Sequence, residues 1–300
     1  MARTRFIGDS GLTVRMTTVM FLLGALFVAL IAVLMYVFPP QYAPIIGVIG
    51  LGIAWFQWWT SDSVAMRAMR AREVTPEEAP ELHGMIDRLC AMADMPKPRV
   101  GVADTAMPNA FATGRSPKRS VVVVTTGILG RLTAEELEGV LAHELSHVAH
   151  RDVLVMTVAS SAGIVASMLT RGAQFGALGG RRNNGGAAAM LVMLVVSLVV
   201  YAVSFVLLRL LSRYRELSAD RAGAHLTMRP RALASALQKI AGGMDQVPQR
   251  DLRASQSLNA FFIAPAVRGL SLRTLTSTHP TLEQRLEQLA RIDAELGRQY

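Results

Sequence analysis

Apolar residues gather in four blocks, Met16 to Phe38, Ala43 to Trp59, Val153 to Thr170 and Ala187 to Leu211, each free of charge except for Arg209 near the end of the last. At about 1.5 Å per helical residue, the first and last blocks reach roughly 35 Å and can cross a hydrocarbon core of about 30 Å. The second block is nearer the minimum length. It ends in Trp55, Trp58 and Trp59, amphipathic rings that suit a membrane interface. The third is short and carries Thr157, Ser160, Ser161 and Ser167, which suits a helix buried in protein as well as a span.

The segments between the blocks read as soluble structure. Pro76 and Pro80 precede Leu82, Met85, Ile86 and Leu89, whose spacing predicts a packed helix. Arg99 to Ala103 and Ser120 to Thr126 are rich in strand formers, and Asn109 to Gly114 lies between Pro108 and Pro117, so a small sheet with an irregular or edge strand is expected. Thr133 and Glu136 fit a capping box ahead of Leu137, Val140, Leu141 and Val148, which predicts a helix from near Ala134 to about His150. Gly172 to Gly186, with Asn183-Asn184, reads as a turn. Polar helices follow Leu211, the last with Leu282, Leu286, Leu289 and Ile292 along one side. The chain thus divides into an amino-terminal tail and apolar hairpin (1–60, with blocks 16–38 and 43–59), a first soluble segment (61–152), a second apolar hairpin (153–211, with blocks 153–170 and 187–211) and a second soluble segment (212–300).

Composition sharpens this picture. Of 300 residues, 51% are hydrophobic and only 18% charged, a balance foreign to an ordinary soluble domain. The net charge of +9 comes from arginines that flank the apolar blocks, without the basic, aromatic-interleaved stretches of a nucleic-acid binder. Arg3, Arg5 and Arg15 precede the first block and Arg67, Arg70 and Arg72 follow the second, while the turn from Pro39 to Tyr42 has no positive charge, so both flanks are expected in the cytoplasm. The first block runs through Pro39-Pro40 into the second, as a retained anchor would and a cleaved signal would not. Arg171, Arg181 and Arg182 fit an external turn poorly, which bears on the third block as a span. A single cysteine, Cys90, excludes an internal disulfide framework and suits a reduced compartment.

The chemistry begins at His143-Glu144-Leu145-Ser146-His147, an H-E-x-x-H sequence. Four helical residues turn through about 400°, which sets both imidazoles on one face where a single cation can bridge them. Glu144, beside the first histidine, can reach a water molecule without ligating the metal, as a general base requires. Catalytic zinc takes three protein ligands and keeps one position open, so a third ligand must come from elsewhere. Glu216 is the leading candidate. It stands in Arg215-Glu216-Leu217-Ser218-Ala219-Asp220, an E-x-x-x-D spacing that puts both carboxylates on one helical face, where Asp220 can orient a ligand histidine through its outer nitrogen. His225 and His150 are rival ligands, expected instead to be structural or solvent-facing. Because His147 nearly abuts the third apolar block and Glu216 the end of the fourth, the two blocks must return the chain to its starting side, either as a hairpin of two spans or as two helices that never cross, with the metal close to the membrane surface on the cytoplasmic side.

HELSH followed by RELSAD between pairs of apolar spans resembles the HtpX family of membrane metallopeptidases, relatives of the type I CAAX prenyl proteases. The likeness extends to Asn109-Ala110-Phe111-Ala112-Thr113-Gly114 and to Ser277-Thr278-His279-Pro280. It implies an α-rich, multi-pass membrane protein with a small α+β zincin-like catalytic unit assembled from the two soluble segments. It further implies one zinc ion per chain on His143, His147 and Glu216, Glu144 as base, and hydrolysis of misfolded or damaged membrane proteins in the bacterial inner membrane, with the site and both termini cytoplasmic. By the same resemblance Asn109, Ala110 and Phe111 offer an edge strand to an extended substrate, and His279 donates to the developing oxyanion. Two alternatives remain open on the residues: a CAAX-type processing protease, and a non-catalytic scaffold whose zinc only holds the soluble segments together. The partners expected are the membrane and its proteins, not nucleic acid, and no oligomeric state is indicated.

Overall fold

The computed structural model describes residues 10–37, 43–153, 155–156, 184–244 and 279–297. Most of the third apolar block, the glycine-rich turn up to Asn183, the Pro39 to Tyr42 turn and Ser277-Thr278 lie outside the described residues.

Two apolar helices open the described chain, α1 (Ser10–Val37) and α2 (Ala43–Ala68). Then come β1 (Ala71–Glu73), α3 (Pro80–Ala93), β2 (Arg99–Ala103), β3 (Ala110–Ser116), β4 (Arg119–Thr125), a single turn α4 (Thr126–Leu129) and α5 (Ala134–Ala149). The rest is α6 (Asn184–Thr227), α7 (Pro230–Met244) and α8 (Leu282–Gly297).

Strand order is β1-β2-β4-β3, with β2 and β4 parallel and the outer pairs antiparallel. The uninterrupted Val121 to Val124 run forms the interior strand β4, buried on both faces as such runs usually are. Val122 and Val124 face the main core with α3, α5 and α7, whereas Val121 and Val123 face Phe111, Ala103 and Ala65 on the α2 side. β3 is the edge strand. Its tight return into β4 depends on Gly114, at φ +145, where a Cβ would meet the Arg119 carbonyl at 2.3 Å. Strand β1 escaped the sequence reading because three residues are too short to register a period.

Helix α5 begins at the expected capping box: Thr133 and Glu136 exchange side-chain to backbone bonds, and Glu136 also accepts from Ser235 and Lys239 of α7. The cap thereby fastens the H-E-x-x-H helix to its neighbour. Helix α6 departs from the sequence expectation. Instead of an apolar block followed by separate polar helices, the chain from Asn184 to Thr227 is one helix of 44 residues, about 66 Å long. No proline or glycine interrupts it between Ala187 and Ala222, so nothing stops propagation when the chain passes from apolar to polar composition. This rigid rod carries Glu216 and Asp220 out of the apolar region and lays them beside α5. Gly223 permits the approach, since a Cβ there would lie 2.9 Å from the His143 backbone nitrogen.

Cys90 sits in the core, where burial pushes its thiol up to about 11. It is an inert packing residue.

Candidate metal centre

Three elements that are remote in sequence meet at one point. Helix α5 presents His143 and His147, α6 presents Glu216, and one candidate ligand atom from each lies within 4.8 Å of the other two. The two Nε2 atoms are 3.3 Å apart, and His147 Nε2 is 3.4 Å from Glu216 Oε1. His143 Nε2 lies 3.6 Å from Glu216 Oε2. Both outer nitrogens are already engaged: Asp220 Oδ1 is 2.9 Å from His143 Nδ1, and Asp152 Oδ2 is 2.5 Å from His147 Nδ1.

This arrangement tests whether a metal fits. With each Nδ1 engaged by a carboxylate, the two Nε2 lone pairs point at one another and at a carboxylate, a repulsive geometry unless a cation stands between them. A tetrahedral ion with ligand bonds of about 2.0–2.1 Å sets its ligands about 3.3 Å apart, close to the 3.3 and 3.4 Å found here. Two imidazoles and one carboxylate are also a donor set of catalytic zinc.

The electrostatics agree. Burial pushes the His147 imidazole down, but Asp152 and Glu216 more than reverse this and hold it at about 10. His143 is likewise raised: Asp220 and Glu216 outweigh burial. Burial would raise Glu216, yet the charges of His279, His143 and His147 hold it well below the usual carboxylate range. The carboxylates thus favour a positive charge at this point, which protons on the imidazoles supply in the metal-free chain and which a bound cation would supply once those protons are released.

Glu144 is buried beside this cluster and its Oε2 accepts from the Ala112 N–H of β3 at 2.9 Å. Burial raises its pKa, partly opposed by the neighbouring histidine charges. His279 is also brought in, 8% exposed, with Nδ1 3.2 Å from Glu216 Oε2. Arg285, in the first turn of α8 and six residues beyond His279, donates to both Asp220 oxygens at 2.6 and 2.7 Å.

Asn109 and Phe111 are buried, Asn109 bound through its backbone to Thr125 and Phe111 packed under the sheet, so their side chains do not face the cleft. What the edge strand offers there is outward backbone: Ala112 points its N–H at Glu144, and Ala110, two residues away, shares that side of the strand. Trp58 is no simple interfacial ring, since its Nε1 donates to the Arg115 carbonyl and Arg115 stacks over Trp59, tying α2 to the β3–β4 turn. His150 is exposed at the end of α5, and His225 stands on α6 outside the metal cluster.

Two contributors were missed. Asp152 follows Arg151, whose φ of 55° turns the chain sharply back toward His147, and Arg215 Nε lies 2.9 Å from Asp152. The signal available was a carboxylate five residues past the second histidine. Arg285 carried no comparable signal, because its partner lies on another helix.

The model of peptidase family M48 matches residues 76–293 of the chain. A Protease HtpX homolog 1 of Streptomyces coelicolor is 53% identical over 297 residues, covering 98% of this chain and 97% of the relative. A Protease HtpX homolog of Moorella thermoacetica is 49% identical over 296 residues, covering 98% of each. Among solved structures, S. mikatae Ste24p aligns with a TM-score of 0.55 at 18% identity. That likeness is one of fold, and it covers 89% of this chain and 62% of Ste24p.

Proposed function

The chain belongs to peptidase family M48, among the HtpX-type proteases, and from that premise we propose that it is a zinc-dependent endopeptidase of the membrane that hydrolyses misfolded or damaged membrane proteins. The observation that carries the metal assignment is the mutual spacing of His143, His147 and Glu216, which matches the ligand spacing of one tetrahedral ion, with Glu144 buried alongside.

One zinc ion on these three residues would supply Lewis-acid polarisation of a peptide carbonyl and of a water molecule. Glu144 takes the proton of the attacking water and later delivers it to the leaving amine, a double task helped by burial, which raises its pKa above the ordinary carboxylate value. Asp220 and Asp152 hold the two imidazoles by their outer nitrogens, which leaves the inner nitrogens as the atoms that would hold the ion. His279 stands close enough to the carboxylate ligand to reach a developing oxyanion. An extended substrate pairs with the outward backbone of Ala110 to Ala112, which puts its scissile bond next to Glu144.

The same reading makes the chain multi-pass in the bacterial inner membrane, with spans at 16–38, 43–59, 153–170 and 187–211. The catalytic unit, built from 61–152 and 212–300, would lie with both termini in the cytoplasm. Support comes from the exposed apolar surfaces of α1, α2 and α6, among them Phe21, Trp55, Phe56, Leu191, Leu198 and Val206, and from the stretch Leu194–Thr227, long and apolar enough to cross a membrane.

The decisive experiment is Glu144→Gln in the purified full chain. Zinc content should be unchanged and hydrolysis of an unfolded membrane protein should fall by at least about 10²-fold. Turnover above about a tenth of the wild-type rate would overturn the assignment of the base.

A further inference from the structure

A cavity of about 220 Å3 opens between the polar ends of α1 and α6 and the last turns of α8, and none of the metal-centre residues lines it. Each helix contributes one face: Arg15 from α1, Leu217 and Arg221 from α6, and Gln288, Arg291 and Glu295 from α8. Three arginines therefore line it against one carboxylate, Glu295, whose approach to Arg221 is a loose 3.7 Å. The walls are built rather than accidental. Gln288 Nε2 donates to the Leu217 carbonyl at 2.8 Å, and Arg15 lies over the Tyr214 ring.

Its place along the apolar helices matters as much as its charge. Arg15 directly precedes the first apolar block, and Val19 and Leu23 of α1 pack on Leu211 of α6. The apolar lengths of both helices thus run away from the cavity in the same direction, exposing Phe21 and Leu22 on one and Leu198 and Val199 on the other. On the membrane reading given above, on which this step rests, the cavity sits at the depth of phospholipid headgroups, next to surface that acyl chains would cover.

We propose that this cavity binds the phosphate of an anionic phospholipid headgroup through Arg15, Arg221 and Arg291. Guanidinium groups suit a phosphate oxygen cluster, and the volume accommodates a phosphodiester with its glycerol. Zwitterionic headgroups fit less well, because their ammonium would meet the same three positive charges.

The test uses the full chain in a neutral detergent, titrated separately with dioctanoylphosphatidylglycerol, dioctanoylphosphatidylcholine and inorganic phosphate, with binding read by calorimetry. Saturable binding of the phosphatidylglycerol, stronger than that of the phosphatidylcholine, is expected. Arg15→Gln and Arg291→Gln should each weaken it by about fivefold, and Glu295→Gln should strengthen it. The opposite sign of the last variant separates loss of the site from loss of fold. Inorganic phosphate binding as tightly as the lipid would keep the anion site and assign it to a soluble phosphate instead. Equal affinity for the two lipids, or undiminished phosphatidylglycerol binding in the Arg15→Gln/Arg291→Gln double variant, would overturn the proposal. Zinc content and peptide hydrolysis measured on the same samples report the protease reading independently.

Discussion

The two histidines of α5 are held by matching three-part chains, His143–Asp220–Arg285 and His147–Asp152–Arg215, yet the two are built differently. In the first, Arg285 grips Asp220 with two aligned bonds, and the aspartate and arginine are 0% and 2% exposed. In the second, Arg215 approaches Asp152 to 2.9 Å without an aligned hydrogen bond, and its side chain is 13% exposed. The first chain joins three distant helices, so it assembles only when the whole catalytic body has folded. The second joins only two: its aspartate follows α5 directly, and its arginine stands on α6 one residue before Glu216. One is a structural keystone that also orients a ligand; the other is an orienting contact with little else resting on it.

That contrast is most directly broken by removing the cations. Arg285→Ala leaves Asp220 buried without its countercharge and should cost about 3–5 kcal/mol of stability, read as a large fall in melting temperature. The double variant Arg285→Met/Asp220→Asn should recover much of it. Equal losses in Arg285→Ala and Arg215→Ala would erase the distinction.

The aspartates come next. Asp220→Ala should weaken zinc binding toward the upper end of the 10- to 100-fold range usual for such outer contacts, and Asp152→Ala toward the lower end, both read by competition with a chelator. A reversed order would make the His147–Asp152–Arg215 chain the dominant one. Arg215→Lys keeps the charge beside Asp152 and loses no aligned hydrogen bond from Nε, so it should change stability by no more than about 1 kcal/mol.

Acid provides the mildest probe. Burial would raise both aspartates, but Arg285 beside Asp220 and Arg215 beside Asp152 hold them below the usual range. Their contribution to stability is therefore present above the unfolded carboxylate pKa of about 4 and is lost as pH falls through the lowered folded values. Melting temperatures of the metal-free chain should drop below about pH 4, and less steeply in Asp152→Asn.

Legibility in the sequence followed contiguity. The capping box and the H-E-x-x-H pair are local, and α5 could be drawn almost to the residue because cap, period and motif agree there. Glu216 and Asp220 were reachable because i, i+4 spacing states a shared face, and topology required the chain to return. Arg285 was not, since its meaning lies in a partner 65 residues away on another helix. At Asn109 to Phe111 the edge strand was legible from its flanking prolines, but which backbone groups face outward was not, because an irregular strand shows no register in its sequence. The unbroken passage of α6 from apolar to polar composition was hidden for a related reason, since hydropathy marks where a helix meets its solvent and not where it ends.

The central claim is that His143, His147 and Glu216 share one zinc ion, and zinc stoichiometry joined to X-ray absorption on the purified full chain tests it most directly. The account predicts one zinc per chain, ligated by nitrogen and oxygen donors at about 2.0–2.2 Å, and loss of that zinc in Glu216→Ala. Full zinc occupancy in Glu216→Ala, or a sulfur ligand that could come only from Cys90 or a methionine, would contradict it.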